Sequence, residues 1–416
     1  MPTFRAPPGT HDVLPPASAR WEALVARFAS AVQRAGYGLV VGPVFEDADV
    51  FTRVGEGTDI VRKEMYEFGD KGGHRLALRP EGTAPVVRAW IQHRPPLPWK
   101  TWYVAPNFRY ERAQAGRYRQ HHQLGAEVLG SKDADLDVEV VALAWSVTTG
   151  LGLRQVDLLI NSLGDGACRP AYLEALRSFL TEHRDRLCDE HRPRALEAPL
   201  RVLDCKRVEC RQATAGAPRT VDHLCQACRE HFSRVSAGLE ALGVTHRIEP
   251  RLVRGLDYYT RTTFELAATA LEGAQNAVGG GGRYDGLTEA LGGPPTPGIG
   301  LALGIERLLL ACDAEGVFPA PEVAVDVFVV DTAGGSDALM LTHELRAAGL
   351  SCDRAFDGRS MKAQFKAADR SGARLAVVVG EREVAEGTVT VRDLEGGDQQ
   401  TVDRADLAGH LRKRLG

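Results

Sequence analysis

The stretch from residue 102 to residue 129 constrains the fold more than any other part of the chain. Trp102–Tyr110 carries the residue pattern of a β-strand, and so does Tyr118–Leu129. A polar turn that contains Ala115 and Gly116 joins the two. Two long strands joined in this way form a hairpin, and a long hairpin favours an antiparallel sheet.

A stretch of eleven residues in this hairpin contains four arginines, Arg109, Arg112, Arg117 and Arg119. Residues two apart on a strand share a face, so Arg109 is expected to point the same way as Glu111, and Arg117 the same way as Arg119. Planar guanidinium groups on a rigid sheet can each hold two oxygens of a polyphosphate. A salt-bridged, solvent-exposed hairpin is the alternative interpretation of the same cluster.

Composition excludes several classes of protein. The chain has 416 residues and a net charge of −4, so it is not a simple basic nucleic-acid binder. The net charge does not exclude nucleic-acid binding through a local basic patch. No apolar run approaches the roughly 20 residues of a membrane span. The start, MPTFRAPPGTHDVLPP, lacks the apolar core of an export signal. We therefore expect a cytoplasmic protein that has no membrane partner and whose eight cysteines are reduced.

The pattern along the chain predicts four segments. Helical spacing over Ser18–Gly36 and Asp133–Thr149 flanks the hairpin, and an Arg-, His- and Cys-rich helical stretch follows. Strand signals then return, and a proline-containing linker over Ala311–Glu322 precedes VAVDVFVV, a run typical of a buried parallel strand. The final 95 or so residues alternate strand and helix as a small α/β domain does. The predicted boundaries are 1–167, 168–242, 243–318 and 319–416.

Several common catalytic motifs are absent from the sequence. There is no GxxxxGK[ST] loop, no GxGxxG opening a helix, no HExxH and no GxSxG. A P-loop nucleotide site is therefore not expected.

Three segments instead resemble, in order, the three motifs of class II aminoacyl-tRNA synthetases. Gly36–Phe51 resembles motif 1, with Pro43 as its proline, and Phe108–Glu111 (FRYE) resembles motif 2. Gly298–Leu308 resembles motif 3, in which Arg307 is the arginine on the closing helix. A single match would be weak, but three in the family's order make coincidence improbable.

Three further segments resemble those of histidyl-tRNA synthetases of the bacterial type. Leu252–Tyr259 (LVRGLDYY) and Gly281–Gly286 (GGRYDG) resemble the two histidine signatures, and Leu78–Thr83 resembles the amino-acid loop. The resemblance covers the whole chain and implies an α+β fold: a class II antiparallel sheet flanked by helices, a helical insertion, and a C-terminal α/β anticodon-binding-type domain. Segments 1–167 and 243–318 would form the catalytic domain, 168–242 the insertion and 319–416 the anticodon-binding-type domain.

The resemblance implies ATP-dependent ligation of L-histidine to its tRNA through a histidyl-adenylate, with release of AMP and pyrophosphate. Glu81 can pair with the substrate ammonium, and Glu127 and Tyr259 can satisfy the two imidazole nitrogens. For an isolated tyrosine, core packing is the alternative. The predicted histidine-binding residues are Glu81, Thr83, Gln123, Glu127, Tyr258 and Tyr259.

ATP, carried with Mg²⁺ as the substrate complex, would meet a set of arginines. The resemblance places Arg109 on the α-phosphate, Arg307 on the adenine face or γ-phosphate, and Arg254 on the opposite side of the α-phosphate, where it would stabilise the charge that grows on phosphorus. Arg254 and Arg109 are therefore the predicted catalytic residues. The predicted ATP-binding set is Arg109, Glu111, Arg117 and Arg307.

The resemblance implies that the tRNA contacts both the motif 2 loop and the C-terminal segment. It also implies that the chain forms a dimer with a second copy. In the motif 2 loop, Arg112 and Gln114 are predicted to meet the acceptor end. In the C-terminal segment, cations recur at three- and four-residue steps and could line one side of a helix, with a solvated helix face as the alternative; they are Arg359, Lys362, Lys366 and Arg370. Motif 1 implies a homodimer.

Cys205, Cys210, Cys225 and Cys228 form two close pairs. Four thiolates with this spacing could together hold a structural Zn²⁺. Four reduced cysteines in a helical insertion are the alternative, so no metal ligand is assigned from the sequence.

Three alternative functions compete with this one. A non-catalytic regulatory paralogue that binds histidine is the main rival, but such relatives lack the C-terminal domain or erode the signatures that this chain keeps. A class II ligase for another amino acid is disfavoured by Arg254–Tyr259 (RGLDYY). A fused regulatory region of a kinase is disfavoured because the chain has no kinase signature.

Overall fold

The chain divides into two units, Met1–Ala320 and Pro321–Gly416. The computed structural model describes residues 4–55, 58, 60–112, 114–271, 276–322 and 324–416. No helix within these residues is long and apolar enough to span a membrane.

The strands of the first unit form two sheets. They are β1 (Gly38–Leu39), β2 (Phe45–Asp47), β3 (Tyr66–Gly69), β4 (Arg75–Leu78), β5 (Trp99–Phe108), β6 (Gln120–Leu129), β7 (Val156–Ser162), β8 (Arg247–Ile248), β9 (Thr260–Ala268), β10 (Ala277–Arg283) and β11 (Gly298–Gly304). The larger sheet has the order β1-β5-β6-β11-β10-β9-β7-β8, and the smaller has the order β2-β4-β3.

The α-helices of this unit surround the sheets or fill the segment between β7 and β8. They are α1 (Ala17–Arg34), α2 (Asp49–Gly55), α3 (Thr83–His93), α4 (Ala134–Gly150), α5 (Arg169–Glu182), α6 (Pro199–Asp204), α7 (Val208–Ala213), α8 (Gln226–Ala241), α9 (Leu287–Ala290) and α10 (Ile305–Glu315). A π-helical turn covers Ile60–Glu64, and 3₁₀ turns cover Arg184–Arg186, Arg192–Arg194 and Thr220–His223.

The predicted antiparallel sheet is confirmed. Every pairing in the larger sheet is antiparallel except β1 with β5 and β7 with β8. The hairpin of β5 and β6 pairs Trp99 with Leu129 at one end and Phe108 with Gln120 at the other.

The predicted strands of the hairpin are too long at the turn. β5 ends at Phe108 and β6 begins at Gln120, so the described residues between them, 109–112 and 114–119, lie outside both strands. The strand alternation from which Arg109 and Glu111, and likewise Arg117 and Arg119, were expected to point the same way therefore does not apply here, because side chains alternate regularly only within a strand. Contacts along the turn decide their directions instead.

Helix α4 shows why the sequence folds locally as it does. The carboxylate of Asp133 accepts a hydrogen bond from the backbone N–H of Asp135 at 3.0 Å and caps the first turn. Asp135 and Asp137 add negative charge where the helix dipole is positive. The apolar residues of α1, α4, α8 and α10 pack with the sheet into the main core.

The stretch 168–242 contains helices and turns and no strand. Helices α5, α6 and α7 pack around a core of their own, which includes Tyr172, Leu176, Cys205 and Cys210. The same core reaches Tyr259, just before β9. The insertion is therefore in contact with the segment of the first histidine signature.

The second unit is a five-stranded mixed sheet with helices. Its elements are β12 (Val327–Asp331), α11 (Asp337–Ala347), β13 (Cys352–Arg354), α12 (Met361–Arg370), β14 (Leu375–Val379), α13 (Glu381–Glu386), β15 (Thr388–Asp393), β16 (Gln399–Asp403) and α14 (Leu407–Leu415). The order is β13-β12-β14-β15-β16, with the first three strands parallel. The predicted buried parallel strand is confirmed over residues 327–330, which are all buried, whereas residues 324–326 precede the strand and residue 323 lies outside the described residues.

Candidate active site

A cavity of about 330 Å³ lies over the larger sheet of the first unit. Its floor includes Gly279 and Gly280 of β10 and Ala302 of β11. Its walls bring together residues that are far apart in the sequence, because strands from both halves of the sheet meet there. The predicted residues that line it are Arg109, Glu111, Arg117, Gln123, Arg254 and Arg307.

Two of the cavity's arginines are held by backbone carbonyls. Arg109 donates from Nε to the carbonyl of Pro80 at 3.0 Å. Arg307 donates from Nε to the carbonyl of Gly116 and from Nη1 to that of Ala277, both at 2.9 Å. Burial and the nearby charge of Arg109 lower the pKa of Arg307. Two cations held close together by neutral acceptors favour a polyanion between them.

Arg254 approaches the same cavity from the segment before β9. Its Nη1 donates to Oε2 of Glu265 at 3.1 Å, and its guanidinium lies 5.9 Å from the ring centre of Tyr259. Burial alone would lower the pKa of Arg254, but the charges of Tyr259 and Glu265 raise it overall. Within the described chain its buried Nε has no hydrogen-bond partner. That N–H is therefore available to a ligand.

The glycine run in β10 makes room for Arg254. A Cβ on Gly280 would lie 2.8 Å from Nη1 of Arg254 and 2.6 Å from the carbonyl of Phe264. Any side chain there would displace the guanidinium.

Glu111 and Arg117, both predicted to bind ATP, form an ion pair with each other. Arg117 also lies 3.9 Å from Glu64, and the hydrogen bond to Glu111 raises the pKa of Arg117. Arg112 and Gln114 are exposed at the turn, where Gln114 pairs with the backbone of Arg117. These four residues thus lie on one loop at the rim of the cavity.

A second group of predicted residues is buried beside the start of α3. The carboxylate of Glu81 accepts from the backbone N–H of Thr83 at 2.5 Å and of Ala84 at 2.9 Å. The hydroxyl of Tyr258 lies 3.5 Å from the same carboxylate. Burial raises the pKa of Glu81, against the opposing effect of the two amides. The carboxylate therefore satisfies the free amides of the helix start.

Glu127 is 1% exposed and accepts three hydroxyl hydrogen bonds. The donors are Tyr284 at 2.6 Å, Thr83 at 2.7 Å and Tyr103 at 3.2 Å. Burial raises the pKa of Glu127 to about 8, although the bonds from Tyr284 and Thr83 oppose the shift. A Cβ on Gly300 would collide with Oε2 of Glu127, so β11 needs glycine at this point.

The remaining predicted residues lie near these two groups. Tyr258 and Tyr259 are tilted neighbours with ring centres 4.9 Å apart, and Tyr258 lies edge-on to Tyr284 at 6.0 Å. Gln123 accepts a hydrogen bond from Nδ2 of Asn107 at 2.7 Å. Thus Gln123 lies at the cavity, while Glu81, Thr83 and Glu127 form the buried hydroxyl–carboxylate cluster next to the aromatic rings.

Comparison with known proteins assigns the family. The model described as histidyl-tRNA synthetase matches residues 9–308, and that described as anticodon binding domain matches residues 323–414. The chain belongs to the histidyl-tRNA synthetase family. The sequence resemblance is thereby confirmed, as is the class II fold.

Individual relatives of this histidyl-tRNA synthetase family match over nearly their whole length. The histidine–tRNA ligase of Rhodococcus erythropolis is 51% identical over 96% of this chain and 95% of its own. The histidine–tRNA ligase of Pelotomaculum thermopropionicum is 47% identical, and the match covers 98% of this chain and 97% of the relative. The crystal structure of apo histidyl-tRNA synthetase from S. aureus has a TM-score of 0.83 and 36% identity, and the match covers 99% of this chain and all of that one.

The sequence prediction missed several residues of the site, including four with clear contacts there. Tyr103 and Tyr284 donate to Glu127, Glu265 pairs with Arg254, and His121 lines the cavity. Tyr284 lies within the second histidine signature of the family and could have been found there. The other three carry no local signal, because strand pairing alone brings them to the site. Burial and the charges of Arg109 and Arg307 hold the pKa of His121 well below its usual value.

The prediction of one four-cysteine set is wrong. Cys205 and Cys210 lie with Cys188 and His191, whereas Cys225 and Cys228 lie with Asp165 and Cys168. The two pairs belong to different groups because Cys205 and Cys210 pack beneath α5, while Cys225 and Cys228 lie at the start of α8.

Proposed function

We propose that this chain ligates L-histidine to its tRNA in two steps at the arginine-lined cavity. The carboxylate of histidine attacks the α-phosphate of ATP, which gives histidyl-adenylate and releases pyrophosphate. A ribose hydroxyl of the terminal adenosine of the tRNA then attacks the activated carbonyl, and AMP leaves. Relatives named histidine–tRNA ligases over nearly the full length of the chain support this reaction.

The single observation that carries the proposal is the adjacency of two environments on one sheet. An open cavity with Arg109, Arg254 and Arg307 suits a triphosphate, and buried carboxylates with tyrosine hydroxyls suit a small polar amino acid. ATP would enter as its Mg²⁺ complex.

In the first step the arginines would act by electrostatics. Arg109 and Arg254 would hold the α-phosphate from two sides, and Arg307 would hold the adenine face or the γ-phosphate, with Glu111 and Arg117 at the rim. Their positive charges would stabilise the negative charge that develops on phosphorus, and they are held in place before the substrate arrives. No covalent enzyme intermediate is needed.

Histidine would be selected by the buried polar groups. Glu81 would pair with the ammonium, and Glu127 and Tyr259 would bind the two ring nitrogens, with Thr83, Gln123 and Tyr258 completing the pocket. An apolar analogue would leave buried donors and acceptors unpaired, which polar pockets penalise heavily.

The tRNA would bind through both units, and this reaction would take place in the cytoplasm. Arg112 and Gln114 are exposed on the rim loop, where the acceptor end must enter the cavity. Residues 359, 362, 366 and 370 are exposed in the unit that matches the anticodon-binding family. Phosphate contacts by such cations supply much of the affinity for nucleic acid.

A homodimer is supported by the apolar surface of the motif 1 segment. Leu39 at the β1 edge of the sheet is exposed, Val41 is 85% exposed, and Phe45 lies edge-on to the exposed Phe68 at 6.2 Å. Several large apolar side chains exposed along one short segment are typical of a protein interface.

The test is exchange of pyrophosphate with ATP, measured for each of the twenty amino acids. We expect exchange with histidine alone, reduced at least about 100-fold by Arg254→Ala, as for loss of one charge-stabilising donor. Arg382→Ala changes an exposed arginine of α13 and should leave exchange intact. A folded chain that binds histidine but exchanges no pyrophosphate would instead support a regulatory paralogue.

A further inference from the structure

The helical insertion between β7 and β8 contains a compact group of sulfur and nitrogen ligands. The Sγ atoms of Cys188, Cys205 and Cys210 and a ring nitrogen of His191 all lie within 4.8 Å of one another. Sγ of Cys188 lies 3.2 Å from Nδ1 of His191 and 4.0 Å from Sγ of Cys205. Four ligands at Zn–S distances of about 2.3 Å in a tetrahedron are about 3.8 Å apart. The spacing therefore matches a metal-binding tetrahedron.

We infer that Cys188, His191, Cys205 and Cys210 bind one structural Zn²⁺. Three thiolates and one imidazole are a ligand set that tetrahedral zinc prefers, and four protein ligands leave no open position for catalysis. The three cysteines are buried and none forms a disulfide.

The backbone prepares the ligands in two local pairs. A turn in which His191 and Arg192 donate their backbone N–H groups to the carbonyl of Cys188 places the imidazole beside the first thiol. Cys205 follows the end of α6, and Cys210 lies within α7. The N–H of Cys188 also points to Sγ of Cys210 at 3.4 Å. Backbone N–H groups of this kind orient and stabilise metal-bound ligands.

A cross-link would stabilise the surrounding segment. Between α5 and α8 the chain forms 3₁₀ turns of three and four residues and the six-residue helices α6 and α7. Helices this short are not stable on their own. A closed zinc site supplies free energy of folding directly, as it does in other small domains.

This metal would also support the active site. Arg251 donates to Oγ1 of Thr214 at 2.7 Å and to the carbonyl of Leu203 at 3.0 Å. Arg201, on α6, lies 3.5 Å from Asp257. The zinc-ordered segment thus holds both ends of the loop that carries Arg254, so metal loss should raise the KM for ATP as well as lower stability.

The second group, Asp165 with Cys168, Cys225 and Cys228, serves as an internal comparison. One oxygen of Asp165 already accepts from the N–H of Ala167 at 3.0 Å, and the other accepts from Arg261 at 3.1 Å. Both carboxylate oxygens thus have a donor in the metal-free chain, and structural zinc sites use Cys and His ligands rather than Asp, so we assign the zinc to the Cys188 group.

The first experiment measures zinc in the full chain purified under reducing conditions without chelator. We expect the wild-type chain to hold one equivalent, which is lost in Cys205→Ser and in Cys210→Ser. Cys352→Ser, a buried cysteine of the second unit outside both groups, should retain it. Zinc retained in Cys205→Ser and lost in Cys225→Ser would overturn the assignment.

A second measurement does not depend on the folding of the variants. Co²⁺ added to the metal-free wild-type chain should give the strong thiolate charge-transfer and d–d absorption of a tetrahedral site. The bound metal should then shield Cys188, Cys205 and Cys210 from alkylation in peptide mapping. Absence of the cobalt bands, or equal alkylation of these cysteines with and without metal, would refute the proposal whether or not the enzyme is active.

Discussion

At the scale of single residues, the most informative group is the buried carboxyl of Glu127. It is surrounded by the hydroxyls of Thr83, Tyr103 and Tyr284, and no cation pairs with it among the contacts of the described chain. Burial makes its charged form costly and raises its pKa. An imidazole N–H that enters the pocket would supply a donor to the carboxylate.

The raised pKa of Glu127 should make the stability of the folded chain depend on pH. The pKa of Glu127 is raised from 4.5 to about 8 in the folded chain, so the folded state binds more protons than the unfolded state between these values. Stability therefore falls as pH rises through this window, by up to about 1.4 kcal/mol per pH unit. Glu127→Gln should reduce the fall without abolishing it, because the raised pKa of Glu81 acts in the same direction, and melting temperatures at pH 5–9 test it. As the control, Glu395→Gln changes an exposed residue and should show the same pH dependence of melting temperature as the wild type. If Glu127→Gln also showed that dependence, the raised pKa of Glu127 would be contradicted.

At the scale of elements, a buried ion pair fastens β10 to α4 and α8. Arg283 and Asp137 are both fully buried and bonded to each other, and Nε2 of His231 lies 2.8 Å from the same carboxylate. Arg283 also donates to the carbonyl of Ser131 at 2.8 Å and to Asp285 at 3.0 Å. Burial would raise the pKa of Asp137, but the bonds from His231 and Arg283 lower it overall.

Removing one partner of this pair should be costly. Arg283→Met would leave the charge of Asp137 buried without its main partner, so we expect a loss of about 3–5 kcal/mol. Unfolding followed by circular dichroism would measure the loss. The double variant Arg283→Met with Asp137→Leu should recover much of it, because the fully buried charge of Asp137 is then removed together with its partner. A double variant that is less stable than either single one would refute this explanation.

Regular elements were predictable from the sequence and the assembly of distant side chains was not. The bounds of α4 and the pairing of β5 with β6 follow from local patterns such as the Asp133 cap. Arg283, by contrast, was recognised only as part of a signature, and its burial depends on where α4 packs. Close sequence spacing likewise grouped the wrong cysteines, because the partner of Cys205 is Cys188, which the path of the chain around α5 and α6 brings near.

At the scale of the whole molecule, the exposed motif 1 surface predicts the oligomeric state. The wild-type chain has a mass of 45.1 kDa, and we expect it to sediment as a dimer of twice that mass. Val41→Asp should sediment as a monomer, because a buried charge at an apolar interface is costly. Val384→Asp alters an exposed valine of the second unit and serves as the control. Sedimentation velocity distinguishes the two masses, and a dimeric Val41→Asp chain would exclude this surface as the interface.

The second unit is expected to affect tRNA charging but not the activation of histidine. Lys362 and Lys366 are exposed four residues apart on α12, whereas every residue proposed to touch ATP or histidine lies in the first unit. Reversing both charges should weaken tRNA binding through lost phosphate contacts. We expect kcat/KM for tRNA charging to fall at least about 10-fold, with histidine-dependent pyrophosphate exchange unchanged.

The control for this prediction carries the same change in charge elsewhere in the unit. Arg382→Glu with Lys413→Glu alters two exposed cations on α13 and α14. If α12 faces the tRNA, this control should charge tRNA nearly as well as the wild type. Equal losses in both variants would mean that the overall charge of the unit, rather than α12, attracts the tRNA. Loss of pyrophosphate exchange in the α12 variant would instead mean that the second unit acts on the first step, because that assay contains no tRNA.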